Sequence, residues 1–185
     1  MKRTFIAFDI TPSEAVKEVF ETVRHKLRNE RISWTDPDRL HITLKFLGDT
    51  TEEKIPSIVS AVNATVRPYD PFRVILTGLG VFRNIHDPHV IWMGCRIENS
   101  LVTFKQELEA AIGALGFEVE KRTFSPHLTL GRIKLIRQTN HLSEILTAYK
   151  EKVFQEFMVT DLIYYESRLT PSGSVYTPID KFTID

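Results

Sequence analysis

Two segments of the chain share one pattern, a histidine followed by an apolar residue, a threonine and a leucine. They read HITL at residues 41–44 and HLTL at residues 127–130, and their histidines are separated by close to half of the 185 residues. Side chains alternate between the two faces of a β-strand, so the histidine and threonine of each segment share one face. The apolar residues then face a core. We therefore expect each segment to present an imidazole beside a hydroxyl group.

Two such segments facing each other across a groove could act on a phosphodiester. An imidazole with a pKa near ~6.5 can give or take a proton at neutral pH, which accelerates a reaction by about 10²–10⁴-fold. Hydroxyl groups of Thr43 and Thr129 could donate hydrogen bonds to phosphate oxygens. A single histidine in a strand is more often packed or solvated than catalytic, but the repeat favours function. The residues predict His41 and His127 as an acid–base pair, without assigning the two roles.

Two basic residues follow the repeated segments and are further candidates for phosphate binding. Lys45 has the strand parity of His41 and Thr43, so it would continue along the same face, although a solvated lysine is the simpler alternative. Arg132 has a donor geometry suited to phosphate. Strict alternation places it on the opposite face, so it reaches the groove only if the strand ends or bulges near Gly131.

Other histidines and aromatic residues have weaker claims to function. The segment HDPH at residues 86–89 lacks a third ligand at a metal-site spacing, and we predict a solvent loop and no metal site. His25 and His141 have no partner motif and are expected at the surface. One or two of a group of aromatic residues could stack on a nucleic-acid base. This group comprises Trp34, Trp92, Phe82 and Tyr176.

The elements that must position these residues are helices and strands interspersed along the chain. Apolar periodicity predicts helices at about residues 12–28, 55–66, 101–115 and 142–149. Segments rich in aromatic and β-branched residues predict strands at 3–10, 40–47, 72–79, 89–96, 127–133, 154–167 and 174–180. Residues 11–14, TPSE, are typical of the start of a helix. We expect one two-lobed domain over residues 1–185.

Composition excludes several classes of protein. Lysine and arginine together number 24, as do aspartate and glutamate, so any nucleic-acid contact must rely on a local basic patch. Cys95 is the only cysteine, which excludes an internal disulfide and cysteine-based zinc sites. The apolar run near the N-terminus ends at Asp9, too short for a signal core or membrane span. We expect a cytoplasmic protein, and the lack of a glycine-rich phosphate loop disfavours P-loop or Rossmann nucleotide binding.

At these motifs the chain resembles the two-histidine phosphoesterase superfamily, whose hallmark is a pair of His-x-Thr-x motifs. It is most similar to the LigT-like RNA 2′,3′-cyclic phosphodiesterase branch, formerly described as 2′-5′ RNA ligases. The similarity extends to FIAFDI at residues 5–10, LHITLKFLG at 40–48, HVIWMG at 89–94 and SPHLTLGRI at 125–133. The segment VFRNIHDP at 81–88 departs from the family, whose members commonly carry a proline after the phenylalanine and more arginines.

The resemblance implies an α+β fold with two lobes, in which two antiparallel sheets related by approximate two-fold symmetry line a cleft and helices lie outside. It also implies hydrolysis of RNA 2′,3′-cyclic phosphate ends to 2′-phosphomonoesters. By position His41 would be the proton donor and His127 the proton acceptor, while Thr43 and Thr129 grip the phosphate. No metal or cofactor is implied. The expected partners are RNA ends or small cyclic nucleotides, with no protein partner, and we expect a monomer.

Two other functions remain open from the sequence. The same acid–base pair could join a cyclic phosphate to a 5′-hydroxyl, which is 2′-5′ ligation. Alternatively, the cleft could bind RNA ends or nucleotides without turnover.

Overall fold

The computed structural model describes residues 1–170 and 173–185, which form two sheets and four helices. The helices are α1 (Glu14–Lys26), α2 (Ile55–Val66), α3 (Asn99–Ala114) and α4 (Thr139–Ala148). The strands of the N-terminal half are β1 (Lys2–Asp9), β2 (Arg31–Trp34), β3 (His41–Thr50), β4 (Phe72–Asn84) and β5 (Asp87–Ile97). The remaining strands are β6 (His127–Leu135), β7 (Val153–Val159), β8 (Asp161–Thr170) and β9 (Gly173–Thr183).

Both sheets are antiparallel, which confirms the predicted α+β class. The first sheet has the strand order β3-β1-β8-β9 and the second the order β2-β6-β5-β4-β7. The two motif strands, β3 and β6, belong to different sheets and contact each other. One large apolar core joins the helices to the sheets, and a smaller cluster of Phe5, Ala7 and Tyr165 covers the other face of the first sheet. We refer to the face of each sheet that carries its motif histidine, away from the large apolar core and the helices, as its cleft side.

Most predicted elements are present, with two differences. The run at 154–167 is two strands, because the chain leaves the second sheet at Thr160 and enters the first. The four-residue strand β2 was not predicted, since so short a segment shows little periodicity. Helix α2 holds Pro56 in its first turn, and α3 ends before Gly116, which adopts the left-handed conformation predicted for a helix exit (φ 85°).

Helix α1 begins two residues later than predicted and ends at Lys26. Its N-cap is Ser13, whose hydroxyl accepts a hydrogen bond from the backbone N–H of Val16 at 3.4 Å. The preceding residues are tied to β7, because the Gln155 side chain accepts from the Ser13 N–H and donates to the Thr11 carbonyl. These long-range bonds keep residues 11–13 outside the helix.

The two motif strands pair with their neighbours in equivalent registers. In the first sheet Asp9, Ala7 and Phe5 lie opposite His41, Thr43 and Phe46. In the second sheet, the list of equivalent pairs is Gly94 with His127, Trp92 with Thr129, and Val90 with Arg132. After the threonine each motif strand has one extra residue, Leu44 or Leu130, which is a β-bulge, and β3 has a second bulge further along at Leu47. This equivalence in pairing is the approximate two-fold symmetry of the fold.

The bulge at Leu44 overturns the prediction that Lys45 lines the phosphate face. An extra residue reverses the alternation that follows it, so Lys45 points to the helix side and is only 4% exposed. Its ammonium group hydrogen-bonds to Glu109 of α3 and to the carbonyl of Glu118. Lys105 also contacts Glu109. Burial alone would raise the pKa of Glu109, but the bonds from Lys105 and Lys45 lower it below its ordinary value.

We predict that Lys45→Met lowers the free energy of unfolding by about 3 kcal/mol, because it leaves the buried Glu109 carboxylate with one cation fewer. Urea denaturation measures this loss. The matched control is Lys17→Met, which breaks the exposed pair with Glu14 and should change the free energy by less than about 0.5 kcal/mol. Equal losses in the two variants would contradict a structural role for Lys45.

Candidate active site

Both motif histidines are held by the same backbone hydrogen bond. Nδ1 of His41 lies 3.0 Å from the carbonyl oxygen of Arg39, and Nδ1 of His127 lies 2.9 Å from that of Ser125. Because a carbonyl oxygen can only accept, each Nδ1 carries the proton and donates it. Each neutral ring therefore has its lone pair on Nε2, on the side of the ring away from the carbonyl. Both rings are oriented to exchange a proton through Nε2.

Aromatic rings pack around each imidazole on the cleft side of the sheets. The ring of His41 meets that of Tyr176 edge to face at 5.1 Å and lies 5.3 Å from that of Phe5. The ring of His127 meets that of Phe82 edge to face at 4.6 Å. These contacts limit ring rotation and remove water from one side of each imidazole.

The histidines are partly desolvated, and this sets their proton affinity. Burial is the largest effect and lowers the pKa of both His41 and His127 below 6.5, although the bond to a carbonyl raises each pKa. Asp9 raises the pKa of His41, whereas Arg132 lowers the pKa of both rings. His127 also lowers the pKa of His41, as expected for two basic groups near each other. An anion between them would favour protonation.

The threonines of the motifs lie where strand parity predicted. Thr43 and Thr129 are half-buried, and each is two residues after its histidine and before the bulge. Within residues 1–170 and 173–185, neither hydroxyl has a hydrogen-bond partner. Both are therefore available to donate to an anion on the cleft side of the sheets.

Arg132 lies on the cleft side because β6 contains a bulge, which is the condition that its position in the sequence sets. Leu130 is the extra residue of β6, so Gly131 turns toward the core and Arg132 returns to the face of His127 and Thr129. The guanidinium is exposed and has no ion-pair partner among the described residues. Because it lowers the pKa of both histidines, Arg132 adjoins the pair as an exposed cation.

Two of the four aromatic candidates contact the motif histidines, a third packs against one of these two, and the fourth lies elsewhere. Tyr176 and Phe82 contact the imidazoles directly, and the ring of Trp92 lies 5.6 Å from that of Phe82. A Cβ on Gly80 would lie 2.2 Å from Trp92, so the indole lies flat across that glycine. Trp34 packs instead against Phe20 of α1 and the core, which removes it from the cleft.

The remaining histidines stay apart from the site. The predicted solvent loop at residues 86–89 is wrong in part, because only His86 lies in the turn between β4 and β5, while residues 87–89 begin β5. His86 and His89 are exposed, and His89 pairs with Asp87 of the same strand. His25 contacts Arg28 at the end of α1 and is exposed, and His141 is exposed on α4. Across the described part of the chain, no three histidine, cysteine or acidic residues are grouped so as to hold a metal ion. No helix in that part is long and apolar enough to cross a membrane.

Asp9 is the residue beside the site that sequence reasoning did not identify. It lies opposite His41 at the end of β1, and its Oδ2 accepts a hydrogen bond from the Tyr165 hydroxyl at 2.7 Å. The sequence carries a signal, since Asp9 is the first charged residue after the apolar run of β1. Without the pairing of β1 with β3, nothing associates it with His41, 32 residues later in the sequence.

Known proteins resemble this chain over nearly its whole length. The family model of the LigT like phosphoesterases matches residues 9–92 and 96–176, one stretch around each motif. The RNA 2′,3′-cyclic phosphodiesterase of Methanothermobacter thermautotrophicus is 30% identical over 98% of this chain and 98% of its own. That of Methanocaldococcus jannaschii is 34% identical over 97% of this chain and 99% of its own.

Solved structures show the same fold. A Thermus thermophilus protein superposes with a TM-score of 0.79 at 27% identity, over 98% of this chain and 97% of its own. Escherichia coli LigT complexed with 3′-AMP superposes with a TM-score of 0.73 at 22% identity, over 99% of this chain and 98% of its own.

We predict that at pH 7.5 both motif histidines are neutral with the proton on Nδ1, because each Nδ1 donates to a carbonyl and burial disfavours the charged form. ¹⁵N NMR of the imidazole nitrogens across a pH titration reports both properties. The titration midpoints of His41 and His127 should lie below 6.5. A proton on Nε2 at pH 7.5, or a midpoint above 6.5 in the free protein, would contradict this geometry.

Proposed function

The chain belongs to the LigT-like phosphoesterase family, and we propose that it hydrolyses the 2′,3′-cyclic phosphate at RNA ends to a 2′-phosphomonoester. The observation that carries the proposal is the pair of imidazoles, equivalent in register and each tied by Nδ1 to a carbonyl. Two relatives of full length bear the name RNA 2′,3′-cyclic phosphodiesterase. The complex of Escherichia coli LigT with 3′-AMP supports a nucleotide as the group bound in the cleft.

The reaction requires that one group accept a proton from water and that another donate a proton to the leaving 3′-oxygen. Nε2 of His127 accepts a proton from water as its oxygen forms a bond to phosphorus. The bond from phosphorus to the 3′-oxygen breaks, and protonated His41 gives its proton from Nε2 to that oxygen. The product is a 2′-phosphomonoester beside a free 3′-hydroxyl, and exchange with solvent returns the two imidazoles to their starting states.

The residues around the imidazoles bind the charge of the phosphate. Thr43 and Thr129 donate hydrogen bonds to its non-bridging oxygens, and Arg132 offsets the negative charge that grows in the transition state. A bound anion also favours the protonated form of His41, whose pKa is low in the free protein because of burial. Because the ring of the cyclic phosphate is strained, positioning and two proton transfers suffice without a metal.

We expect His41→Ala and His127→Ala each to reduce the rate of hydrolysis by about 10²–10⁴-fold, the contribution of one positioned proton transfer. The assay uses a short RNA with a 2′,3′-cyclic end and identifies the phosphate position of the product by chromatography. Wild-type activity should persist in EDTA.

Three results would overturn the proposal. Unchanged rates in both variants would exclude the acid–base pair. Loss of activity in EDTA, with recovery on adding a divalent ion, would indicate metal catalysis. Tight binding of the RNA end without any product would indicate a binding module.

Arg132→Met should lower kcat/KM by about 10- to 100-fold, because the apolar side chain keeps most of the volume and removes the charge that faces the phosphate. Steady-state kinetics measures the effect. Arg122→Met is the control, since Arg122 is exposed and pairs with Glu120. A loss of similar size in both variants would rule out a specific role for Arg132.

A further inference from the structure

The two motif strands pair in equivalent registers, but the residues opposite their two histidines differ in charge. In the first sheet the residue opposite the histidine is Asp9, and in the second sheet it is Gly94. Directly opposed residues of an antiparallel pair have Cβ atoms about 4.5–5.5 Å apart on the same face. His41 therefore has a carboxylate as its nearest cross-strand neighbour, whereas His127 has no side chain at that position.

The Asp9 carboxylate is fixed in this place. Its Oδ2 accepts a hydrogen bond of 2.7 Å from the Tyr165 hydroxyl, and Tyr165 is only 8% exposed. The backbone N–H of Ile10 donates to the carbonyl of Leu40 at 2.9 Å, which closes the strand pairing next to Asp9 and His41. The negative charge thus stays near the imidazole.

The glycine of the other sheet is equally constrained. A Cβ on Gly94 would lie 2.8 Å from the Thr77 carbonyl oxygen and 3.3 Å from the ring of Trp92. The first distance is shorter than Cβ atoms tolerate, and the neighbour is backbone. The second sheet therefore leaves no room for a side chain opposite His127, and the charge difference between the two histidines is built into the packing.

We propose that Asp9 is the positioning residue that makes the two histidines unequal, its carboxylate favouring the proton on His41 and so making His41 the proton donor. The inference rests on the proposed function, in which one histidine starts protonated and the other neutral. Asp9 touches neither phosphate nor water in this role and acts through His41. The assignment of donor and acceptor then has a physical cause in this chain.

Other charged groups face His41 and must be weighed against Asp9. Arg132 and His127, both on β6, lower the pKa of His41, and Asp9 is the acidic residue that raises it. The groups that face the imidazole are Asp9 of β1, Tyr165 of β8, Tyr176 of β9, and His127 and Arg132 of β6. Since Arg132 acts on both histidines, it does not distinguish them.

The test is Asp9→Asn, which removes the charge and keeps the size. Removing a negative charge lowers the pKa of His41, so the pH at which hydrolysis declines on the alkaline side should move to lower pH. At pH values above this decline, the variant should hydrolyse the substrate about three- to tenfold more slowly than the wild type. This is the size expected for one charge at the separation of Asp9 and His41 in a partly solvated cleft. NMR titration should show the His41 midpoint falling while that of His127 changes less.

Asp49→Asn is the matched control. It removes the same charge from the same strand as His41, eight residues away, which is about 26 Å along the strand. It should leave both midpoints and the pH profile as in the wild type. Asp9→Glu, which keeps the charge, should restore the alkaline limb, whereas loss of packing alone would not be restored in this way. Asp9→Ser replaces Asp9→Asn if the latter does not fold.

The outcomes separate this inference from the proposed function. An unmoved His41 midpoint in Asp9→Asn, or equal movement of both histidines, overturns the role of Asp9 even if both histidines are essential. A lowered His41 midpoint in a protein that shows no hydrolysis supports the charge coupling and overturns the proposed function instead.

Discussion

In each motif strand one extra leucine forms a bulge against the neighbouring strand, and this bulge determines which side chains share the cleft face. In β3 and β6 the histidine and threonine precede the bulged residue, Leu44 or Leu130, and the next cleft-facing residue comes three positions after the threonine. That residue is Phe46 in one sheet and Arg132 in the other. A shift of one residue in register exchanges the two faces of a strand, so without the bulge Arg132 would lie on the core side and Lys45 in the cleft. The two bulges therefore place a cation, Arg132, on the cleft side of the second sheet and turn Lys45 of the first sheet away from it.

The hydrogen bond from Nδ1 to the carbonyl two residues earlier links this backbone geometry to chemistry. Because the carbonyl belongs to the same segment of chain, the ring orientation follows from the local backbone and needs no second side chain. The aromatic packing around the rings removes water, which lowers the pKa of both histidines in the free protein. In the proposed reaction a bound phosphodiester brings the negative charge that offsets this effect. Protonation is then favoured when the proposed substrate is bound, which is when a proton donor is needed.

The repeated motif, the four helices and most strands could be predicted from the sequence because they depend on local periodicity. The sequence did not predict which face of the strand the residues after the motif occupy. A bulge depends on the partner strand and leaves no mark in the apolar pattern. Strand parity predicted the wrong face for Lys45. Its partner Glu109 lies 64 residues away in sequence and stabilises Lys45 on the buried side. Asp9 was passed over because only the pairing of β1 with β3 brings it to His41.

The charge asymmetry bears on which reactions the proposed mechanism allows. Hydrolysis and 2′-5′ ligation both open the cyclic phosphate, so both start with His41 protonated and His127 neutral, and they differ only in the nucleophile. Ring closure, the reverse of hydrolysis, needs the opposite protonation state, in which His41 takes a proton from the 3′-hydroxyl. A carboxylate beside His41 therefore stabilises the protonation state from which ring opening starts and is neutral between water and a 5′-hydroxyl. The choice between these nucleophiles depends on whether the cleft binds a second RNA end close to phosphorus, because water reaches a solvated cleft at far higher concentration.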